Sequence, residues 1–307
     1  MTKKRIAIYL SLIGFLFVSV AAWYALAFLT QPRSASPAGT LPVKFDGQRA
    51  LADVETQVAF GPRTPGSAAH AQVVEWMRAE LTAAGWDARI QSAEMIGHPI
   101  QNVIGYRGDE PPQIIIAAHY DTRIFADKDP DPFKQLEPAP GANDGASGVA
   151  VLLELARVLP ENTVPVWLVF FDAEDNGRIQ GWEWILGSRA FVAALETRPE
   201  AVVIVDMIGD ADQNVYIERN SDPALVAEIW GIAGELGYSE RIIPTPNHSI
   251  LDDHMPFLEA GIPAVDMIDF DYPYYHTSAD TPDKVSAESL EAIGVTLQEW
   301  VLRRSRP

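Results

Sequence analysis

Four short apolar runs, Gln113–Ala118, Val164–Phe171, Ala201–Met207 and Ile262–Ile268, restrict most severely what this chain can fold into. Each is too short for an ordinary helix. None shows the apolar–polar alternation of a strand with one wet face. Such runs suit strands covered on both sides, as at the centre of a parallel sheet. Helical patterns separate them. Ser67 can cap a helix that runs to Ala84 and stops at Gly85, with Val73, Val74, Met77, Leu81 and Ala84 on its apolar face. Val149–Leu159, Pro223–Leu236 and Asp252–Ala260 also read as helices, and Ala287–Arg303 as a closing one. The expected fold is α/β, a mainly parallel central sheet with helices on both faces. No internal repeat is visible.

Ligands of such sheets bind outside the carboxyl ends of the strands. The first run is followed there by His119, Tyr120, Asp121 and Thr122. Asp172, Ala173, Glu174 and Asp175 follow the second, and Asp206 lies at the end of the third. His276 follows the fourth after a short loop. Asp144, in Gly141-Ala142-Asn143-Asp144-Gly145, stands just before a helix. Taken singly, each has an ordinary structural reading, and Asp144 reads as a helix N-cap. Taken together, they place histidines and carboxylates at four strand ends that the sheet brings close. Carboxylates gathered in one place repel one another unless a cation neutralises them. Histidine and carboxylate donors suit zinc. Of the adjacent Glu174 and Asp175, one can ligate while the other serves as a base.

Composition narrows the chemistry further. The 307 residues include no cysteine, which excludes disulfides, thiol nucleophiles and cysteine-ligated zinc. Lys plus Arg is 23 against 42 for Asp plus Glu, a formal net charge of −19. So acidic a chain is a poor partner for nucleic acid.

The N-terminus has a separate character. Lys3, Lys4 and Arg5 form a basic stub (residues 1–5) before an uncharged run from Ile6 to Leu29. That run can cross ~30 Å of hydrocarbon at ~1.5 Å per residue. We read it as a transmembrane anchor, with a cleaved signal peptide as the alternative. The basic stub places the rest on the extracytoplasmic side. Residues 30–42, rich in Pro, Ser, Ala and Gly, read as a linker, and residues 43–307 as one catalytic domain.

The run His119-Tyr120-Asp121-Thr122, the segment Gly141–Gly148 (GANDGASG) and Phe170-Phe171-Asp172-Ala173-Glu174-Asp175 together resemble the zinc aminopeptidase and glutaminyl cyclase superfamily. Three details lean toward the glutaminyl-peptide cyclotransferases: Gly61–Ser67 (GPRTPGS), Asp252–Phe257 (DDHMPF), and Gly187-Ser188-Arg189 after a Trp-bearing loop. The resemblance implies a three-layer sandwich and zinc, one ion in a cyclase and two in an aminopeptidase. It implies peptide or protein N-termini as substrates. Asp144, Asp175 and His276 match the cyclase zinc ligands, and Glu174 the general acid/base. Asp206 matches an acid that touches substrate in cyclases. With His119 it forms the second zinc site of aminopeptidases. Asp121 would orient His119 through a hydrogen bond, and Asp253 would share a hydrogen-bond network with Glu174. The chain departs from the family in having Glu174-Asp175 where Glu-Glu is usual. It also departs in the loop holding Trp182 and Trp184, neither of which can be matched to the cyclase pocket Trp.

The remaining histidines read as structural. His70 is expected at a helix surface and His98 in a turn, while His248 precedes the Asp252 segment and His254 follows its two acids at a helix start. Asp127–Pro132 is an acidic loop that either rims the pocket or is merely solvated. Three functions follow: a cyclase turning N-terminal Gln into pyroglutamate, a two-zinc aminopeptidase, and an ectodomain that kept the fold without chemistry.

Overall fold

The computed structural model describes residues 43–306. The anchor, stub and linker expected over 1–42 lie outside the described residues. Among the described residues, no helix is long and apolar enough to cross a membrane.

The central sheet has six strands: β1 (Asp87–Met95), β2 (His98–Tyr106), β3 (Ile114–His119), β4 (Val166–Phe171), β5 (Ala201–Asp206) and β8 (Ala264–Ile268). Their spatial order is β1-β2-β4-β3-β5-β8. The four strands β4-β3-β5-β8 are parallel, as the apolar runs predict. β1 and β2 add an antiparallel edge, β2 pairing with β4. A separate parallel pair joins β6 (Val215–Ile217) to β7 (Ile242–Pro246).

Burial on both faces follows the period of two along each parallel strand. Ile114, Ile116 and Ala118 of β3 pack into one core, and Ile115 and Ala117 into the other. β5 divides in the same way, Val203 and Val205 to one side and Val202 and Ile204 to the other. The larger core is covered by α1 (Gly47–Ala59), α2 (Ala68–Ala83), α3 (Ala146–Val158), α5 (Pro223–Glu235) and α7 (Ala287–Arg304). The smaller is covered by α4 (Leu186–Ala193) and α6 (Met255–Glu259), through Phe191 and Phe257. Each buried Ile, Leu or Phe contributes roughly 1.5–3 kcal/mol, so both layers are needed to hold the sheet.

Local chemistry sets the helix starts. Asp46 accepts from the amides of Gln48 and Arg49 at α1, and Ser67 from His70 at α2. Asp222 and Ser286 do the same for α5 and α7. Asp144 does not cap α3. Gly145 holds that position, and no side chain bonds the first-turn amides. The helix expected over Asp252–Ala260 is confined to Met255–Glu259, which leaves both acids in the preceding turn.

Candidate metal centre

Five side chains meet where the parallel strands end. His119 closes β3 and Asp206 closes β5. Asp175 lies in the turn after β4, Asp144 in the turn before α3, and His276 in the loop after β8. Asp144 lies between the two histidines. Its Oδ1 is 3.1 Å from His119 Nε2, and its Oδ2 is 3.5 Å from His276 Nε2. His119 Nε2 is also 3.1 Å from Asp206 Oδ1, and His276 Nε2 is 2.7 Å from Asp175 Oδ1. Two trios result, His119–Asp144–Asp206 and Asp144–Asp175–His276, with donor atoms in each within 4.8 Å of one another. Neighbouring ligands of a tetrahedral zinc, each about 2.1 Å from the ion, lie roughly 3.4 Å apart. Both trios therefore have the donor chemistry and spacing to hold zinc.

Charge makes the same case. Burial raises Asp175 to about 6 and Asp206 to about 7. Burial also pushes Glu174 well above the usual carboxylate range, and the charges of Asp175, Asp252 and Asp253 add to it. Asp144 is buried too. A hydrogen bond with His119 and the charges of His276 and His119 outweigh that burial and hold its carboxyl low. One buried oxygen of Asp175, Oδ2, has no hydrogen-bond partner. The cluster is thus short of positive charge, a deficit that a dication fills.

The turns that carry these groups are tightly held. Asp280 accepts from Asn143 N at 2.8 Å, Asp144 N at 3.2 Å and the Tyr272 hydroxyl at 2.7 Å. The Asn143 side chain ties the same turn to Met207 O and Gly209 N, beside Asp206. The fully buried Arg63 donates to the carbonyls of Tyr120, Pro140 and Gly141. That gives the Gly61–Ser67 motif a structural task. A Cβ on Gly145 would stand 2.5 Å from His119 Nε2, so only glycine lets the turn approach that histidine. Ala173, Met207 and His276 all have positive φ. Strained backbone of this kind persists where surrounding structure enforces it.

Several expectations are corrected by the geometry. Asp121 does not orient His119 by a hydrogen bond: its Oδ1 is 3.6 Å from His119 Nδ1, too long for one. It accepts instead from Glu174 N at 2.9 Å, Asp175 N at 3.4 Å and Asn176 Nδ2 at 3.2 Å, and so shapes the turn carrying both acids. Asp253 makes no hydrogen bond to Glu174. Both its oxygens are buried without a partner, and its neighbour Asp252 faces the cleft. His70 is not a surface residue. It is 5% exposed, with Nε2 2.8 Å from Asp172 and 3.0 Å from the Tyr120 hydroxyl. His254 is buried between Glu218 and Asp266, 3.2 and 3.6 Å away. His248 pairs with Asp271 outside the cleft lining. The two tryptophans part company. Trp182 stacks on His98 at 3.6 Å, whereas Trp184 stacks on His276 at 6.0 Å and lines the cleft.

A cleft of about 370 Å³ opens over the cluster. Glu174, 8% exposed, reaches its floor beside Asp144, Asp175, Asp206 and His276. Trp184, Ile250, Leu251, Phe270 and Tyr275 supply apolar wall. Asp127 and Lys128, from the acidic loop, and Arg178 also line it. The Asp127–Pro132 loop thus does rim the cleft, whereas Arg178 and the clamping Asp280 gave no sequence signal, because each matters only through where a loop folds back. The size and mixed lining suit a small substrate or the end of a peptide.

A parallel sheet that gathers histidines and carboxylates at its strand ends defines a protein with the zinc exopeptidase fold. Peptidase family M28 matches residues 102–301, and the chain belongs to that family. It is similar to aminopeptidase YwaD of Bacillus subtilis, 30% identical over 67% of this chain and 46% of that protein. Among solved structures, Porphyromonas gingivalis glutaminyl cyclase is 30% identical with a TM-score of 0.80, over 85% of this chain and 100% of that one. A leucine aminopeptidase precursor from Bacteroides thetaiotaomicron is 31% identical with a TM-score of 0.79, over 85% of this chain and 98% of that one.

Proposed function

We propose that the protein is a zinc-dependent glutaminyl-peptide cyclotransferase, converting N-terminal Gln to pyroglutamate with release of ammonia. The observation that carries this reading is the Asp252–Phe257 sequence (DDHMPF), which resembles that of the cyclotransferases, in a chain that matches a bacterial glutaminyl cyclase over that enzyme's whole length. The small cleft, part aromatic and part acidic, is consistent with it.

In this reading Asp144, Asp175 and His276 would hold zinc, and the ion would supply a Lewis acid for the carbonyl of the substrate's side-chain amide. The substrate's own α-amine is the nucleophile, so the enzyme needs none. Its nitrogen bonds to the amide carbon, and the bond from that carbon to the amide nitrogen breaks. Glu174 takes the proton from the amine and delivers one to the departing ammonia. Asp206 holds the amide nitrogen, and Trp184 with the apolar wall keeps the Gln chain curled for ring closure. Asp121 fixes Glu174 through its backbone amide.

One observation favours a second reading. Asp144 offers one oxygen to each of two complete trios, which fits a two-zinc aminopeptidase hydrolysing the N-terminal residue. The two are separated by incubation with a Gln-peptide and with a Leu-anilide, each with and without chelator. Chelator-sensitive ammonia from the first supports the cyclase. Amine from the second and no ammonia would replace it by the aminopeptidase.

We also propose that the run from Ile6 to Leu29 anchors the catalytic domain on the extracytoplasmic side. Full-length protein should then stay in the membrane pellet through carbonate extraction. A soluble mature protein beginning near Ser34 would replace the anchor by a signal peptide.

A further inference from the structure

We propose that Lys128 and Arg178 form a carboxylate-binding subsite at the mouth of the Glu174 cleft, favouring peptides with a negative charge just beyond their first residue. This rests on the reading that a peptide N-terminus occupies the cleft floor.

The cleft changes sign between floor and mouth. Asp144, Glu174, Asp175 and Asp206 on the floor are each no more than 8% exposed. Such a floor suits a metal ion and an α-ammonium group. A peptide seated there leaves past the exposed lining residues, which include Lys128, Arg178 and Leu251. Three basic side chains line the cleft: Arg123, Lys128 and Arg178. Arg123 is committed to both oxygens of Asp127 and to the carbonyls of Asp175 and Gly177. The other two have no such partner. Arg178 is in no hydrogen bond or ion pair with a described residue, and Lys128 Nζ is in none either. The Lys128 ammonium lies 3.2 Å from the centroid of the Tyr275 ring, another cleft residue.

The two cations belong to one wall. Arg178 follows Gly177, where a Cβ would meet the Trp184 ring at 2.1 Å. Trp184 stacks on His276, and the His276 carbonyl accepts from Lys128 N at 3.1 Å. A chain of net charge −19 repels anionic substrates at long range. Two cations without an ion-pair partner among the described residues, both lining the cleft, counter that repulsion locally. A matching carboxylate can come from an acidic side chain at the second or third position. It can also be the C-terminal carboxylate of a very short peptide.

The test compares kcat/KM for Gln-Ala-amide, Gln-Ala with a free carboxylate, Gln-Glu-Ala-amide and Gln-Lys-Ala-amide, with the same series begun by Leu. Anionic peptides should exceed the neutral amide by about 5-fold, the span of an exposed ion pair, and the Lys peptide should fall below it. The preference should shrink in 1 M salt and invert in Arg178→Glu. Lys128→Ala should reduce it in part. A gain for the free dipeptide alone would make the terminal carboxylate the ligand, and a gain for the Glu peptide alone the side chain. Turnover with no charge preference, or a preference that survives Arg178→Glu together with Lys128→Ala, overturns the subsite alone. Turnover of no peptide in either series overturns the functional reading, and the subsite with it.

Discussion

Asp53, Glu80 and Glu154 lie together where α1, α2 and α3 meet; Asp144, Asp175 and Asp206 lie together where the strands end. In the first group the chain supplies its own counter-charge. Arg157 reaches Asp53 at 2.5 Å, Glu80 at 2.8 Å and Glu154 at 3.3 Å, and Arg49 grips Glu154 with two nitrogens at 2.6 Å. Guanidinium forks suit this task because they stay charged and bind carboxylates at two points. In the second group no Lys or Arg among the described residues forms an ion pair with these carboxylates. The positive partners are two histidines, and the nearby Arg123 is turned to Asp127 and to backbone carbonyls. One cluster is complete as folded. The other is built to receive charge from outside, as a metal ion, a substrate ammonium or a proton.

Predictions that break or sharpen this contrast run from the largest expected effect downward. Glu174→Gln keeps the volume of the floor and removes its proton acceptor. Turnover should fall by ~10²–10⁴ in kcat while zinc content stays unchanged by mass spectrometry. Near-native turnover would remove Glu174 from the chemistry in both functional readings. His276→Ala should weaken zinc binding by 10-fold to 100-fold or more, since even residues behind the ligands cost about that much. Dialysis against a graded zinc buffer measures this, and undiminished zinc content would show that His276 is no ligand.

Zinc should also stabilise the fold, by about 2.7 kcal/mol at a free concentration 100 times Kd. Chemical denaturation with zinc and then with chelator reads that increment. Arg157→Ala should leave the increment intact while lowering stability by about 1–3 kcal/mol, because Asp53 and Glu154 lose a partner in a largely buried place. An increment that vanished in this variant would mean the two clusters are not independent. The smallest effect has the opposite sign. Asp206→Asn removes one of several repelling carboxylates, so the zinc-free protein should gain about 1 kcal/mol. Destabilisation without zinc would indicate that the site cluster is balanced as folded.

The apolar runs were legible because strands covered on both faces carry no polar residues to blur them, and β3, β4, β5 and β8 lie within one or two residues of expectation. The residues that close them were legible because a turn after a buried strand has few reasons to hold so many acids. The β1–β2 hairpin was not legible. Its strands mix polar and apolar residues, and its two-residue turn is Ile96-Gly97, both at positive φ, where Asn-Gly or Asp-Gly would have signalled the bend. Helix α1 escaped notice because its buried set includes Gly47, Asp53 and Gln57, which blur the apolar stripe. His70 was misplaced for a related reason: a histidine buried on Asp172 and Tyr120 has the same neighbours in sequence as one in water.

By itself, the sequence determined a mainly parallel sheet, the side of it that binds, and the residue types gathered there, because all three follow from local polarity and strand length. Tertiary structure alone decided that Asp144 lies between His119 and His276 instead of capping a helix, that Trp184 and not Trp182 lines the cleft, and that Asp280 and Asp121 clamp the turns carrying Asp144, Glu174 and Asp175. Those outcomes depend on where loops distant in the chain come to rest, and loop positions are set by packing and hydrogen bonding across the whole domain, which no local pattern encodes.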